Sequence, residues 1–499
     1  MKNNALWFVR SALLMAGVLL VIFAVDLALD LLTGGYRLAS LAAFDVVAAR
    51  NANTLLNRNL NQLMGTIFGT VAIAVPLTAN MYSLKFLEFF IKDRVNAAVL
   101  IYVVFINIGN TWAGYTIKTD FIPLAQLVLF FGLTVIGYAM LFPYLYYVFR
   151  FLHPNTLLTR LEHEFLNEVN AARLQPRRAG AHRQPAAEAI EHLANIAIRS
   201  VDRGDRNTAI ESTFALERVL RAYWTLKADL APAWFEAEQN FFLGFSSQAI
   251  SELTASRSWV EMKALGELRQ MMGAAVPRMT ELVSTVSKTL RKLGLEPIAR
   301  EDAALRDLVI EHFNTLLRLT LNRKDPRSVF ILLDQYRLYA EALNAEFPDV
   351  AQEIGYYFRY YGQVARDLQM PFVVEAVAHD LGLLVQAAWQ ASAPNREALL
   401  DDFLRFDEAA PRPLPGVKKA HALLASYFLQ ASHAEAAERI RRSFAGLELP
   451  FLRALADDLL RVTREKYWEI NERRMNIDYV PEPQRARLRE FLAALTSQA

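Results

Sequence analysis

Residues 97–118 read AAVLIYVVFINIGNTWAGYTIK, an apolar run long enough to cross a bilayer that nevertheless carries polar side chains at helical spacing. Asn107, Asn110, Thr111, Gly114 and Lys118 fall at i, i+3, i+4, i+7 and i+11, so a helix sets them on one face. Hydrocarbon cannot satisfy an amide, and such a stripe must turn toward protein or water. The run therefore belongs either in the interior of a membrane bundle or along an aqueous path.

Segments 6–32, 64–82 and 123–149 are also apolar, and each reaches the roughly 20 residues that a ~30 Å hydrocarbon layer requires. The chain opens like a secretory signal, with Lys2 and Arg10 ahead of apolar residues. However, 6–32 exceeds a signal core, and Asp26 and Asp30 stand where a small-residue cleavage site belongs, so it reads as an uncleaved anchor. Four spans place both termini on one side. Lys2, Arg10, Lys85, Lys92, Arg94, Arg150 and Arg160 flank that side, against Arg37, Arg50, Arg58 and Lys118 on the other, which makes the termini cytoplasmic.

Residues 33–60 keep helical spacing and read as an external or interfacial helix leading into the second span. The second span carries Gly65 and Gly69, a GxxxG pair suited to close helix packing, within the chain or between copies. Pro76 removes one backbone donor there, and the stretch from Asn61 to Arg94 is expected to run as one long helix protruding into the cytoplasm. After the fourth span an amphipathic stretch runs to about Leu174. The linker that follows it, RLQPRRAGAHRQPAAE, is a flexible basic tether whose Arg173, Arg177, Arg178 and Arg183 suit anionic lipid headgroups.

From 187 onward the period is helical nearly throughout, with segments at 187–202, 206–229, 231–254, 258–293, 301–322, 326–345, 349–367, 371–390, 395–407, 416–431, 433–446, 449–474 and 483–497. The expected fold is all-α. A transmembrane domain covers 1–150, a juxtamembrane helix and linker 151–186, and a cytoplasmic α-helical domain 187–499. Helix pairs on short turns favour a solenoid-like hairpin stack in that last domain, with an irregular bundle as the alternative.

The stretch LANIAIRSVDRGDRNTA, 193–209, resembles the signature of an uncharacterised bacterial family of four-span membrane proteins, close to LADIAIRALSPGINDPxTA. Ile196, Ala197, Arg199, Gly204, Asp205, Thr208 and Ala209 match it, and LTANMYSLKFLEFFIKDRV at the end of the second span is similar to a second family segment. The chain departs where the family carries Asn-Asp-Pro. The resemblance covers residues 1–230 at most; it implies a bacterial inner-membrane location and marks Arg199, Asp202, Gly204 and Asp205 as a signature turn, without implying a chemistry. Read from the residues alone, that turn is either a helix stop followed by an N-cap at Asn207 or a ligand or ion site.

Enzyme chemistry finds little footing. The chain has no cysteine, which excludes disulfides, thiolate nucleophiles and cysteine metal sites. The eight histidines include no HExxH, and no phosphate loop, dinucleotide glycine pattern or GxSxG elbow occurs. His163 beside Glu162 and Glu164, and His192 with Glu188 and Glu191, read as solvated helical residues. No cofactor or metal is expected, and a net charge of +2 argues against a nucleic-acid partner. The first expectation is a homo-oligomeric, channel-like protein whose path is lined by Asn107, Asn110, Thr111, Gly114 and Lys118, with Asp26 and Asp30 as an acidic mouth. For those amides the competing role is hydrogen bonding within the bundle, and for the two acids it is a place among headgroups. The alternative function is a membrane-anchored scaffold binding a cytoplasmic protein through its helical repeats.

Overall fold

The computed structural model describes residues 45–499, apart from 84, 120, 301, 409, 411, 467–472, 474, 475 and 499, together with scattered positions between 10 and 32. The described residues are all-α, without a strand beyond the single bridge between Lys118 and Phe121. They fall into two compact units, Met1–Arg160 and Leu161–Ala499, divided within the helix Pro154–Leu174.

In the first unit α1 (Val46–Met81), α3 (Arg94–Thr116) and α4 (Leu124–Phe151) pack on one another, with the short α2 (Lys85–Ile91) against α1 and α3. All three long helices are apolar and long enough to cross a membrane. They leave much of their apolar surface uncovered: Ile101 is 69% exposed and Phe142 68%. The first expected span, 6–32, lies largely outside the described residues.

From Val46 on, the stretch expected as an external or interfacial helix and the expected second span form one helix. Asp45 caps it by accepting from the Val47 amide, and 36 residues give a length of about 54 Å. The long helix expected from Asn61 to Arg94 is broken instead. α1 stops at Met81, the Ser83 hydroxyl accepts from the Lys85 amide to restart the chain, and α2 buries Phe86 and Phe90 edge-on against Phe151. Asp93 then caps α3 through the Val95 and Asn96 amides. Three aromatic side chains with a place to bury win over the helical continuity of an exposed turn.

In the second unit, α5 (Pro154–Leu174) is followed by helical hairpins in two rows. One row runs α6 (Arg183–Asp202), α9 (Trp259–Ala275), α11 (Ala303–Asn322), α13 (Pro348–Asp367) and α15 (Arg396–Leu404). The other runs α7 (Arg206–Leu226), α10 (Thr280–Arg300), α12 (Pro326–Leu343), α14 (Pro371–Gln390), α16 (Pro415–Gln430) and α19 (Glu482–Gln498). Each helix packs on its hairpin partner and on the next helix of its own row, the nearest-neighbour pattern of a solenoid. The short α8 (Ser247–Ala255), α17 (Ala434–Arg442) and α18 (Leu449–Arg461) fill corners.

The turns repeat one device. Gly204, Arg257, Lys324, Gln369, Ser392 and Ser432 all take positive φ at helix ends. In each case the next residue's amide bonds back across the last turn, as Asp325 does to the Thr320 carbonyl and Met370 to the Ala365 carbonyl. Proline at the first turn then starts α12, α13, α14 and α16.

α14 is also apolar enough to cross a membrane, but 61% of its central window is buried inside the stack, against 28% or less for the long helices of the first unit. It is a core helix. Two expected helices of this unit are absent in the form anticipated. Pro277 divides 258–293 into α9 and α10, and 231–246 is irregular apart from two short 3-10 turns, Pro232–Trp234 and Gln239–Phe241, with α-helix only from Ser247, capped by Ser246. Of the helix expected over 449–474, Leu449–Arg461 is formed and the next described residues, 462–466, are not helical.

Candidate functional site: an amide seam and a roofed groove

The polar stripe of α3 meets a second stripe on α1. Asn53, Asn57 and Asn61 recur every four residues and so share one face of that helix. Arg50 donates to the Ile117 carbonyl at 3.3 Å, Asn53 lies against Gly114, and Asn107 donates to Asn61 Oδ1 at 2.7 Å. Contacts that descend α1 as they climb α3 define antiparallel neighbours and set Asn57 level with Asn110. Glycine at 114 leaves room for the Asn53 amide, since a Cβ there would stand 2.4 Å from Asn53 Nδ2 and push that side chain aside.

Asn110 is fully buried and turns to α4, donating to Thr134 Oγ1 at 3.2 Å. Thr134 gives its own proton to the Phe130 carbonyl, so its oxygen can only accept from Asn110. The amide orientation is thereby fixed, and Asn110 Oδ1 accepts from no group among the described residues; Asn53 Oδ1 and Asn57 Oδ1 share that state.

The rest of the expected path is dispersed. Thr111 is exposed and bonds back to the Asn107 carbonyl, and Lys118 is exposed in the turn after α3. Asp26 and Asp30 lie outside the described residues. Around Gly65 and Gly69 a Cβ would meet nothing within 4 Å, so among the described residues the GxxxG face packs on no neighbour. At the other end of α3, Asp93 is 4% exposed and accepts from Tyr147 Oη at 2.8 Å while pairing with Arg160, whose guanidinium lies 3.9 Å over Phe151.

The basic linker is a built corner rather than a tether. Pro176–His182 forms a 3-10 turn with Ala179 buried. His182 pairs with Glu168 at 2.6 Å, Arg173 with Asp229, and Arg183 with Glu236 and Glu238, while Arg177 and Arg178 stay exposed. Short-range acids were invisible in the linker because Asp229, Glu236 and Glu238 arrive from fifty residues on.

The signature turn is a helix stop. Gly204 takes φ +72°, the Asp205 amide reaches the Ser200 carbonyl, and Asp205 rather than Asn207 caps α7 by accepting from the Thr208 amide. Asp202 pairs with Arg278 and Arg206 with Glu281, which ties the turn to the start of α10. Arg199 lies in the last turn of α6.

A second site, one that sequence reasoning passed over, is a groove of about 460 Å³ among α6, α9 and α11. The segment read as a 231–254 helix is its roof. Trp259 donates to the Trp234 carbonyl at 2.7 Å and Trp234 to Tyr223 Oη at 3.3 Å, which anchors the segment. Phe241 and Phe242 are buried beside the groove, and Leu243 at the tip, next to the left-handed Gly244, is 91% exposed.

Inside, Lys263 bridges Glu191 at 3.1 Å and Glu267 at 3.0 Å, and Gln270 donates to Glu267. Burial raises the Glu267 carboxyl despite Lys263. His312 is 8% exposed with Nδ1 2.8 Å from the Leu308 carbonyl, and burial lowers it to about 4, so the ring is neutral. The signal in the sequence was Asn-Phe-Phe-Leu-Gly-Phe, 240–245, an aromatic run ending at a glycine between two helical periods.

No family model matches the chain, and no curated protein does. Among solved structures it is similar to a "Circular tandem repeat protein with novel repeat topology and enhanced subunit contact surfaces", over 91% of this chain and 97% of that one, at 14% identity and a TM-score of 0.34. A score at that level establishes no shared fold.

Proposed function

We propose that the protein is a membrane-anchored interaction protein. In this reading α1, α3 and α4, with segment 6–32, sit in a bacterial inner membrane with both termini cytoplasmic, and the helical stack presents its α6–α15 row to a cytoplasmic partner. The observation that carries it is the stack itself: helices that contact only near neighbours leave a long open face, and solenoids use such faces for binding. The roofed groove and the exposed Tyr356 and Tyr360 of α13 lie on that row. A photoreactive residue placed at Thr315 or Tyr360 of the full-length protein should crosslink a partner in membranes, while one at Lys288 on the opposite row should not. Equal capture from both rows contradicts the reading.

A second reading, a homo-oligomeric channel-like protein for ions or small solutes, draws on the Gly65–Gly69 face and the three amide oxygens of the seam, none of which has a partner among the described residues. It is the weaker one, because Asn107 and Asn110 are already engaged by Asn61 and Thr134 of the same chain. Conductance in planar bilayers that Asn110→Leu alters would restore it. The resemblance at 193–209 accords with either reading.

A further inference from the structure

We infer that the groove beneath 240–245 takes a cationic side chain, the guanidinium or ammonium of a basic peptide presented by the partner. The inference deepens the interaction reading and rests on it.

Three carboxylates line the groove, Glu191, Glu267 and Glu311, against Lys263 and Arg269. With His312 neutral the lining carries one net negative charge. Lys263 is held between Glu191 and Glu267, so that corner is already matched. Glu311 is not. Burial pushes its carboxyl up, and Asp307 and Glu252 push it further, which is the mark of an acid among acids rather than one beside a cation. Arg306, the nearby cation, lies 3.7 Å from Asp307 instead.

A cluster of acids alone would select nothing. His312 adds an independent demand. Its Nδ1 faces a carbonyl oxygen and carries the proton, which leaves Nε2 a lone-pair acceptor with no bond among the described residues, on a side chain 8% exposed in the groove wall. An occupant that displaces water from this nitrogen brings a hydrogen-bond donor in its place.

The roof narrows the choice again. Phe241, Phe242 and Phe245 present ring surface, which attracts a cation or a flat apolar group and gives a carboxylate nothing. An acidic ligand would meet Glu311 and Glu267, and a purely apolar one would strand the imidazole nitrogen. A group that is positive, flat and rich in N–H satisfies all three surfaces, and a guanidinium fits best. The volume, at the lower end of ligand pockets, suits one or two side chains of an extended segment.

The test uses the full-length protein in nanodiscs and two fluorescein-labelled peptides, Gly-Ser-Arg-Leu-Gly-Ser-Arg-Leu-Gly and its citrulline counterpart, which keeps the shape and loses the charge. The arginine peptide should bind about tenfold tighter by fluorescence polarisation. Glu311→Gln, at an exposed position that should fold normally, should remove about fivefold of that, and His312→Phe should weaken both peptides. Equal affinity of the two peptides, or no effect of Glu311→Gln, overturns the inference. If the arginine peptide fails while Thr315 still crosslinks a partner, the cation assignment falls and the interaction reading stands.

Discussion

The two units bury polar side chains in different proportions. In the first, neutral amides from α1 and α3 meet each other and Thr134, four buried amide oxygens, those of Asn53, Asn57, Asn96 and Asn110, have no partner among the described residues, and one ion pair, Asp93 with Arg160, is buried before α3. In the second, full charges go inside. Asp380, with no exposed surface, accepts from Arg473 at 2.5 and 2.7 Å and from Arg337 at 3.2 Å, and Arg473 also lies 3.9 Å over the Phe330 ring. Arg337 is tied as well to Asp334 and Glu341. Burial alone would raise the Asp380 carboxyl, but Arg473, His379 and Arg337 together hold it well below the usual carboxylate range. The difference teaches what each surrounding tolerates. Where lipid is the proposed solvent, neutral amides fill the seam between helices and the buried ion pair stands at a helix end rather than mid-helix. In the helical stack, a buried ion is kept as long as every partner stays.

The largest effect should come from breaking the ionic set. Asp380→Asn leaves two buried guanidinium groups short of charge and should cost about 3 kcal/mol of stack stability, read as a lowered denaturation midpoint by circular dichroism. The paired change Asp380→Leu with Arg473→Met should recover part of it. An unchanged midpoint in Asp380→Asn would mean that the network adds nothing.

Acidification should be next. Burial holds His312 at about 4 and His421 at about 3, below the value of about 6.5 in the unfolded chain. A group whose folded value is depressed contributes stability that is complete above 6.5 and lost as pH falls below it. Between pH 7 and pH 5 each histidine should therefore remove about 2 kcal/mol from the stack. Thermal melts across that range should show the loss, and His312→Phe should make the profile shallower. A flat profile would place both rings in water.

The smallest effect belongs to the seam. Asn110→Leu deletes one interhelical hydrogen bond but also an unpaired oxygen, and should change stability in detergent by about 0.6 kcal/mol or less. A loss several times larger would mean that the seam is as tightly coupled as the ionic set, and the contrast between units would fail.

Much of this was legible in local pattern. The spacing of Asn107, Asn110 and Gly114 marked a face that needs partners, and Asp-Pro at 325–326 with Pro348 and Pro371 marked helix starts correctly. Other features could not be read because their cause is distant. Arg473 finds Asp380 across 93 residues, and nothing near either one signals the pairing. Asn53, Asn57 and Asn61 recur at a four-residue period, but with 33–60 read as an external or interfacial helix and Asn61 as the start of the next one, the period gives no sign of partners on α3. Hairpin ends at Lys324, Gln369, Ser392 and Ser432 take left-handed backbone without glycine, and so lack the residue that usually announces it. The groove was missed because an aromatic run passes for a helix until Trp234 and Trp259 show where it is pinned.

Because the chain has no cysteine, single cysteines can report the environment of each unit directly. A membrane-impermeant maleimide applied to intact cells should label Lys118→Cys, should leave Ile101→Cys and Phe142→Cys unlabelled even after permeabilisation, and should reach Tyr356→Cys only after permeabilisation. Rapid labelling of Ile101→Cys and Phe142→Cys from water would contradict a lipid-facing first unit.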